Sequence, residues 1–103
     1  MQIIKCLSSM IEDEIEDAEK YARKALEYKD TNKQTADVFY NLSIEEYKHM
    51  GILHNEVVRL INEYRKANGE PPAAMLTLYE ILHEKHIKDA ATVKLLQAMY
   101  QEP

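Results

Sequence analysis

The positions of glycine and proline limit this chain to a few long helices. Its 103 residues include only two glycines and three prolines, and three of these five lie together at Gly69, Pro71 and Pro72. Both residue types interrupt helices, so the chain on either side of this break is free to form long helical segments. Charged residues make up 30% of the chain, and Leu, Ala, Glu and Lys, which favour helices, are abundant. The sequence therefore predicts an all-α protein.

Turn-forming residues divide the chain into three predicted helices. The first spans about residues 3–29 and is followed by an Asp-Thr-Asn turn. The second begins with a capping box, in which Gln34 follows Thr31 by three residues, and ends at about Ala67 before a glycine suited to the left-handed cap position. The third spans about residues 72–100, because proline is tolerated in the first turn of a helix.

The short connection between the first two helices predicts a long antiparallel hairpin. We expect a single helical domain over residues 1–103, since this length corresponds to one domain. Within it, residues 1–69 form the hairpin, residues 70–72 are a stiff proline linker, and residues 73–103 hold the third helix.

Charge and apolar patterning narrow the range of partners. The net charge is −5 and the basic residues form no stripe, so we expect no nucleic-acid partner. Apolar runs are too short to cross a bilayer, and the N-terminus lacks the pattern of a signal peptide, so we expect a cytoplasmic protein without a membrane partner. The single cysteine, Cys6, offers no disulfide within the chain and no thiolate zinc motif.

In the first helix, one acidic residue falls inside the apolar stripe. At 100° per residue, four small, apolar or aromatic side chains lie within about 40° of Glu14. These are Leu7, Ala18, Tyr21 and Ala25. The acidic neighbours of Glu14 mostly point away from this stripe and are typical of a solvated face. The pattern predicts that Glu14 faces the interior of the hairpin.

The second helix repeats this arrangement around Glu46. Seven apolar or aromatic side chains lie within about 40° of it. These are Phe39, Leu42, Met50, Leu53, Val57, Leu60 and Tyr64. His49 lies roughly 60° from the centre of the stripe and one turn further along the helix. Each helix of the hairpin thus carries one carboxylate among apolar residues, and one carboxylate has a histidine beside it.

Carboxylates in such a position need a partner. A buried carboxylate must be paired, protonated or bound to a metal, and no Lys or Arg is placed to pair with Glu14 or Glu46. Each residue alone is also compatible with a side chain that reaches solvent, or with a hydrogen-bonded core histidine. Taken together, Glu14, Glu46 and His49 favour a metal site, and these ligands suit iron, manganese or zinc.

Two spacings lead to a family resemblance. Glu14 precedes Tyr21 by seven residues, and Phe39 precedes the Glu46-x-x-His49 motif by the same interval. Over about residues 10–60, the chain resembles the ferritin-like superfamily, in particular its rubrerythrin-type and encapsulated-ferritin-type members. The resemblance implies a helical hairpin that binds iron, with Glu14, Glu46 and His49 as metal ligands.

The resemblance also implies a dimer. A complete di-iron bundle uses four helices with two Glu ligands and two Glu-x-x-His motifs, whereas this chain holds one of each in its hairpin. We therefore expect at least a homodimer, in which dimerisation completes a four-helix bundle. We expect two irons per dimer, with manganese or zinc as the other candidate metals.

A second Glu-x-x-His motif, Glu80 and His83, offers a rival that would complete the site within one chain. Glu80 lies opposite the apolar stripe of the third helix, so we interpret both residues as surface groups. The roles of three further residues stay open. These are His54, Glu56 and His86.

Two functions follow from these observations. The resemblance implies a metal-binding protein of the di-iron carboxylate class, with iron oxidation or peroxide reduction as its activity. Because the cysteine pairs of a rubredoxin-like module are missing, a peroxidase of this kind would need an external reductant. No catalytic residue and no organic cofactor are assigned. The alternative is a non-catalytic helical module for dimerisation or interaction, in which the ferritin-like motif is structural or vestigial.

Overall fold

Three α-helices form an elongated bundle in the computed structural model, which describes residues 2–103. They are α1 (Gln2–Tyr28), α2 (Lys33–Asn68) and α3 (Ala73–Gln101). The bundle measures 56 × 19 × 18 Å along its principal axes. No strand occurs among the described residues, so the predicted all-α class is confirmed. Within this part of the chain, no helix combines the length and apolar character needed to cross a membrane.

The start of α2 differs from the prediction in its capping residue. Asn32 is the N-cap, and its side-chain oxygen accepts a hydrogen bond from the backbone N–H of Thr35 at 3.1 Å. The predicted capping box of Thr31 and Gln34 is therefore wrong. Thr31 lies in the preceding turn, where its N–H donates to Tyr28 at 3.2 Å. Asn is at least as favourable an N-cap as Thr, which explains why the helix begins one residue later.

The break between α2 and α3 largely follows the prediction. Gly69 adopts a φ of 78°, which glycine tolerates, and its N–H donates to the carbonyl of Arg65 at 3.0 Å. The predicted position of Pro72 in the first turn of α3 is wrong. Its ψ of 140° is extended, so Pro72 lies just before α3. Its carbonyl accepts hydrogen bonds from the N–H groups of Met75 and Leu76.

The third helix runs parallel to α1 and antiparallel to α2. Near its middle, Lys85 pairs with Glu12 of α1 at 2.7 Å. At its end, the Tyr100 ring stacks on Tyr40, near the start of α2, with centroids 4.8 Å apart. α3 packs more extensively on α1 than on α2, so it covers one side of the hairpin and leaves the other side open.

Small residues bring α1 and α2 close together at the centre of the hairpin. Ala18, Ala22 and Ser43 are fully or almost fully buried. The Ser43 hydroxyl donates to the carbonyl of Ala18 at 2.7 Å and accepts from the Gln97 amide at 2.9 Å. This chain of hydrogen bonds joins all three helices and satisfies the polar atoms that it buries.

The buried face of the hairpin is offset from the stripe predicted by periodicity. On α1 the most buried apolar residues include Ile11, Ile15 and Ala22, which lie roughly 60–100° around the helix from Glu14. Glu14 therefore lies at the edge of the core rather than at its centre. Met10 and Leu42, each one turn from a carboxylate, are 45% and 38% exposed. The predicted stripe combined part of the core with part of an open apolar face.

Candidate metal centre

Three potential metal ligands from α1 and α2 converge on one point. Glu14, Glu46 and His49 each offer one ligand atom, and these atoms all lie within 4.8 Å of one another. His49 Nδ1 is 3.6 Å from Glu14 Oε2 and 3.9 Å from Glu46 Oε1. The structure thus brings together the three residues predicted from the sequence.

The register of the hairpin explains this convergence. The hydrogen bond from Ser43 to Ala18 fixes one level at which the two helices meet. In an antiparallel pair, one turn back along α1 from Ala18 and one turn forward along α2 from Ser43 reach the same next level. That level holds Glu14 and Glu46. His49 follows Glu46 by three residues and therefore lies on the same side of α2.

The donor set is buried on one side and open on the other. The two carboxylate side chains are 25% and 21% exposed, whereas His49 is 52% exposed. Glu14 Oε2 is buried, and with both carboxyl groups ionised it has no hydrogen-bond partner among the described residues. A buried acceptor without a partner costs about 1–3 kcal/mol, and more when it carries charge. This oxygen is therefore the atom at the site that most needs a cation or a proton.

The two carboxyl groups compete for ionisation. The pKa of Glu46 is raised to about 7, first by hydrogen bonding of its protonated form to Glu14, then by burial and by repulsion from the Glu14 charge. Asp17 adds to the increase, and His49 opposes it. Below about pH 7 the metal-free pair therefore holds a proton, which a bound cation would replace.

The residues present fit a first-row transition metal. Carboxylate oxygen and imidazole nitrogen are suitable ligands for iron, manganese and zinc. Ligand distances of about 2.0–2.2 Å place two ligands of one metal at most roughly 4.4 Å apart, so a small inward shift of the side chains suffices. Three ligands from one chain leave further coordination positions on the open side.

The rival motif on α3 does not join this site. Glu80 is exposed, and the His83 ring stacks on His54 and Tyr79 instead. In the described part of the chain, Glu14, Glu46 and His49 form the one group of three such ligands with suitable spacing. Glu56 forms an exposed ion pair with Arg59 at 2.7 Å. It is therefore a surface residue that does not join the three candidate ligands.

Sequence reasoning missed a second cluster of polar groups, formed by His54, His83 and His86. His86 is only 8% exposed, and its Nε2 is buried without a hydrogen-bond partner. The sequence did indicate that His86 lies near the apolar stripe of α3. Periodicity along one helix, however, does not predict which residues of other helices lie next to His86.

Comparison with family models, with curated proteins and with solved structures finds no match to this chain.

Proposed function

We propose that this chain is a ferritin-like metal-binding protein whose di-iron carboxylate site is completed by dimerisation. The observation that carries the proposal is the buried, unpartnered Oε2 of Glu14, which faces His49 and the carboxyl of Glu46 across the hairpin. A cation supplies the partner that this oxygen lacks when both carboxyl groups are ionised. It would replace the proton whose hydrogen bond to Glu14 is the main cause of the raised pKa of Glu46.

Ligand number supports a site shared by two chains. Two copies supply four glutamates and two histidines, which is the ligand set of di-iron carboxylate bundles. The half-exposed His49 and the exposed Met10 and Leu42 lie along the side of the hairpin that α3 leaves open. A second hairpin packed there would cover these side chains and complete a four-helix bundle. Such a two-fold arrangement lets each chain contribute the same surface.

The proposed activity is the one that is typical of di-iron carboxylate sites. Iron held by carboxylates and imidazoles, with open coordination positions, supplies redox chemistry toward dioxygen or peroxide. The chain's own residues would position the metals, and the Glu14–Glu46 pair would hold or release a proton as metals leave or bind. Peroxide reduction would draw its electrons from an external reductant, whereas oxidation of Fe²⁺ would use the metal itself as substrate.

Anaerobic titration with Fe²⁺ tests the proposal. We expect saturation at about one iron per chain, two per dimer, and loss of most of this binding in Glu46→Ala. Glu45→Ala is the matched control, because Glu45 is the adjacent exposed carboxylate and pairs with Lys48 on the surface. Absence of iron uptake, or equal uptake by the two variants, would overturn the assignment of the ligands.

A non-catalytic interaction module is the second candidate. The observation that favours it is the apolar outer surface of α3, where Ile81 and Leu95 are 60% and 61% exposed. On this proposal the chain associates through apolar surfaces alone. Glu46→Ala would then leave association intact or strengthen it, since it removes a partly buried charge. Under the metal-site proposal, the same variant loses the iron-dependent part of association.

A further inference from the structure

The two halves of α3 are attached to the hairpin differently. The buried residues of this helix all lie at or beyond its middle, and they are His86, Val93, Leu96, Gln97 and Tyr100. Residues 73–85, which we call the first half of α3, contain no buried residue, and their inward side chains, such as Tyr79 and Leu82, are half-buried. The second half of α3 is therefore anchored in the core, whereas the first half packs less deeply.

Polar contacts reinforce the attachment of the second half. The Gln97 amide donates to the Ser43 hydroxyl at 2.9 Å, and Lys33 Nζ donates to the Tyr100 hydroxyl at 3.0 Å. Lys29 Nζ donates to the carbonyl of Met99 at 3.4 Å. These contacts join the end of α3 to both helices of the hairpin, so this end can stay bound if the first half moves.

A histidine cluster lies at the boundary between the two halves. The rings of His54 on α2 and His83 on α3 stack with centroids 5.0 Å apart, and Tyr79 stacks on His83 at 5.4 Å. One turn further along α3, His86 is 8% exposed, and its Nε2 is buried without a hydrogen-bond partner among the described residues. Uncharged rings pack well in this way, whereas two imidazolium rings at this distance would repel each other.

The charged groups around the cluster do not favour its protonation. Glu12 of α1 and Asp89 of α3 are both paired with Lys85, at 2.7 Å and 2.9 Å. From α2, the cluster meets the uncharged phenol of Tyr47, over which Lys94 lies at 4.4 Å. The two acidic and two basic groups balance, so a protonated ring would find no excess of negative charge nearby.

Burial keeps the rings uncharged while α3 is packed. It is the main cause that lowers the pKa of His86, and it outweighs the opposing effect of Glu12 and Asp89. Burial and then His83 lower the pKa of His54. Rings released into water regain an ordinary pKa of about 6.5 and bind more protons than the packed rings. The packed state therefore keeps its full stability above about pH 6.5 and loses it as pH falls below that value.

We propose that the histidine cluster is a pH-sensitive switch, which holds the first half of α3 on the hairpin near neutral pH and releases residues 73–85 in acid, while the second half stays bound. The hairpin surface beside the first half includes Ile4 and Ile61, each 7% exposed. Release would uncover these apolar side chains. The switch is separate from the candidate metal centre, because His54 and His49 are five residues and roughly 140° apart around α2.

Amide hydrogen exchange of the full chain at pH 7.5 and pH 5.5, with chelator present, tests this proposal. After correction for the intrinsic exchange rate at each pH, the amides of residues 77–85 should lose about tenfold or more of their protection at pH 5.5. Those of residues 93–100 should change by less than about twofold. Glu46 titrates in the same range, but it stabilises the hairpin as pH falls, so it does not produce a loss confined to the first half.

Three histidine variants identify the groups that respond to pH. His54→Phe keeps a ring beside His83 that cannot be protonated, and His86→Leu keeps an apolar side chain at the buried position. Each should reduce the loss of protection at pH 5.5, and the double variant should abolish it. His49→Phe removes an exposed histidine outside the cluster and should retain the full loss.

Ring ¹⁵N spectra give a second readout. The titrations of His54 and His86 should coincide with the loss of protection in residues 77–85. Equal protection of these residues at the two pH values, an equal loss in both halves of α3, or the full loss in both single variants overturns the proposal, whatever the outcome of the iron titration.

Discussion

Glu46 links the stability of the metal-free protein to pH. Its pKa is raised to about 7 in the folded chain, from 4.5 for an ordinary Glu, because of Glu14 and burial. Between these values the folded state binds more protons than the unfolded state, so this carboxyl stabilises the fold at acidic pH and loses that effect as pH rises through 7. We expect this group to lower the free energy of unfolding by on the order of 1 kcal/mol between pH 5 and pH 8 with chelator present.

Urea denaturation of Glu46→Gln tests this pH dependence, and the variant should lack the part that Glu46 contributes. Glu45→Gln, at an exposed position, should retain it, and the same slope in both variants would contradict the assignment.

The three candidate ligands could be located from the sequence, but their depth in the protein could not. The angular position of Glu14 and Glu46 around their helices follows from counting residues, so the sequence predicts that both face the partner helix. Their placement at the edge of the core depends on where α3 packs. The periodicity of α1 and α2 does not predict that position. For the same reason, the surroundings of His86 could not be predicted, because several of its neighbours belong to other helices.

At the scale of helices, the turn between α1 and α2 provides a direct test of the capping assignment. The Asn32 side chain accepts a hydrogen bond from Thr35 N–H, and replacement of such a cap by Ala costs about 1 kcal/mol. We therefore expect Asn32→Ala to lower the free energy of unfolding by about that amount in urea denaturation. Thr31→Ala is the matched control and should change stability by only a few tenths of a kcal/mol. A larger loss for Thr31→Ala would show that the helix begins at Thr31 in solution.

The bounds of the helices were largely predictable because strong local signals fix them. Gly69 ends α2 through its positive φ, and the prolines that follow prevent its continuation. The start of α2 was less certain, since Thr31 and Asn32 are both good capping residues and the choice between them is made by the turn as a whole. The N-cap preference of Asn over Thr is small, and the capping-box spacing of Thr31 and Gln34 favoured the other residue.

The whole molecule is a rod of 56 × 19 × 18 Å, and its candidate metal centre lies along one open side. Leu42 is exposed on this side, one turn from Glu46, so dimerisation there would bury it next to the ligands. We expect the iron-loaded protein to have a solution mass of twice the 12.0 kDa of one chain. Leu42→Asp should shift it toward one chain and lower its iron content, because an added carboxylate would be buried beside the site.

Leu95→Asp is the matched control for this substitution. Leu95 is more exposed than Leu42, but it lies on α3, outside the hairpin face that we propose as the interface. The variant should therefore keep both the dimer mass and the iron content in light scattering and metal analysis. If Leu95→Asp gives single chains while Leu42→Asp stays dimeric, association occurs through α3. The metal site would then have to form from one chain, with its open coordination positions facing solvent rather than a second hairpin.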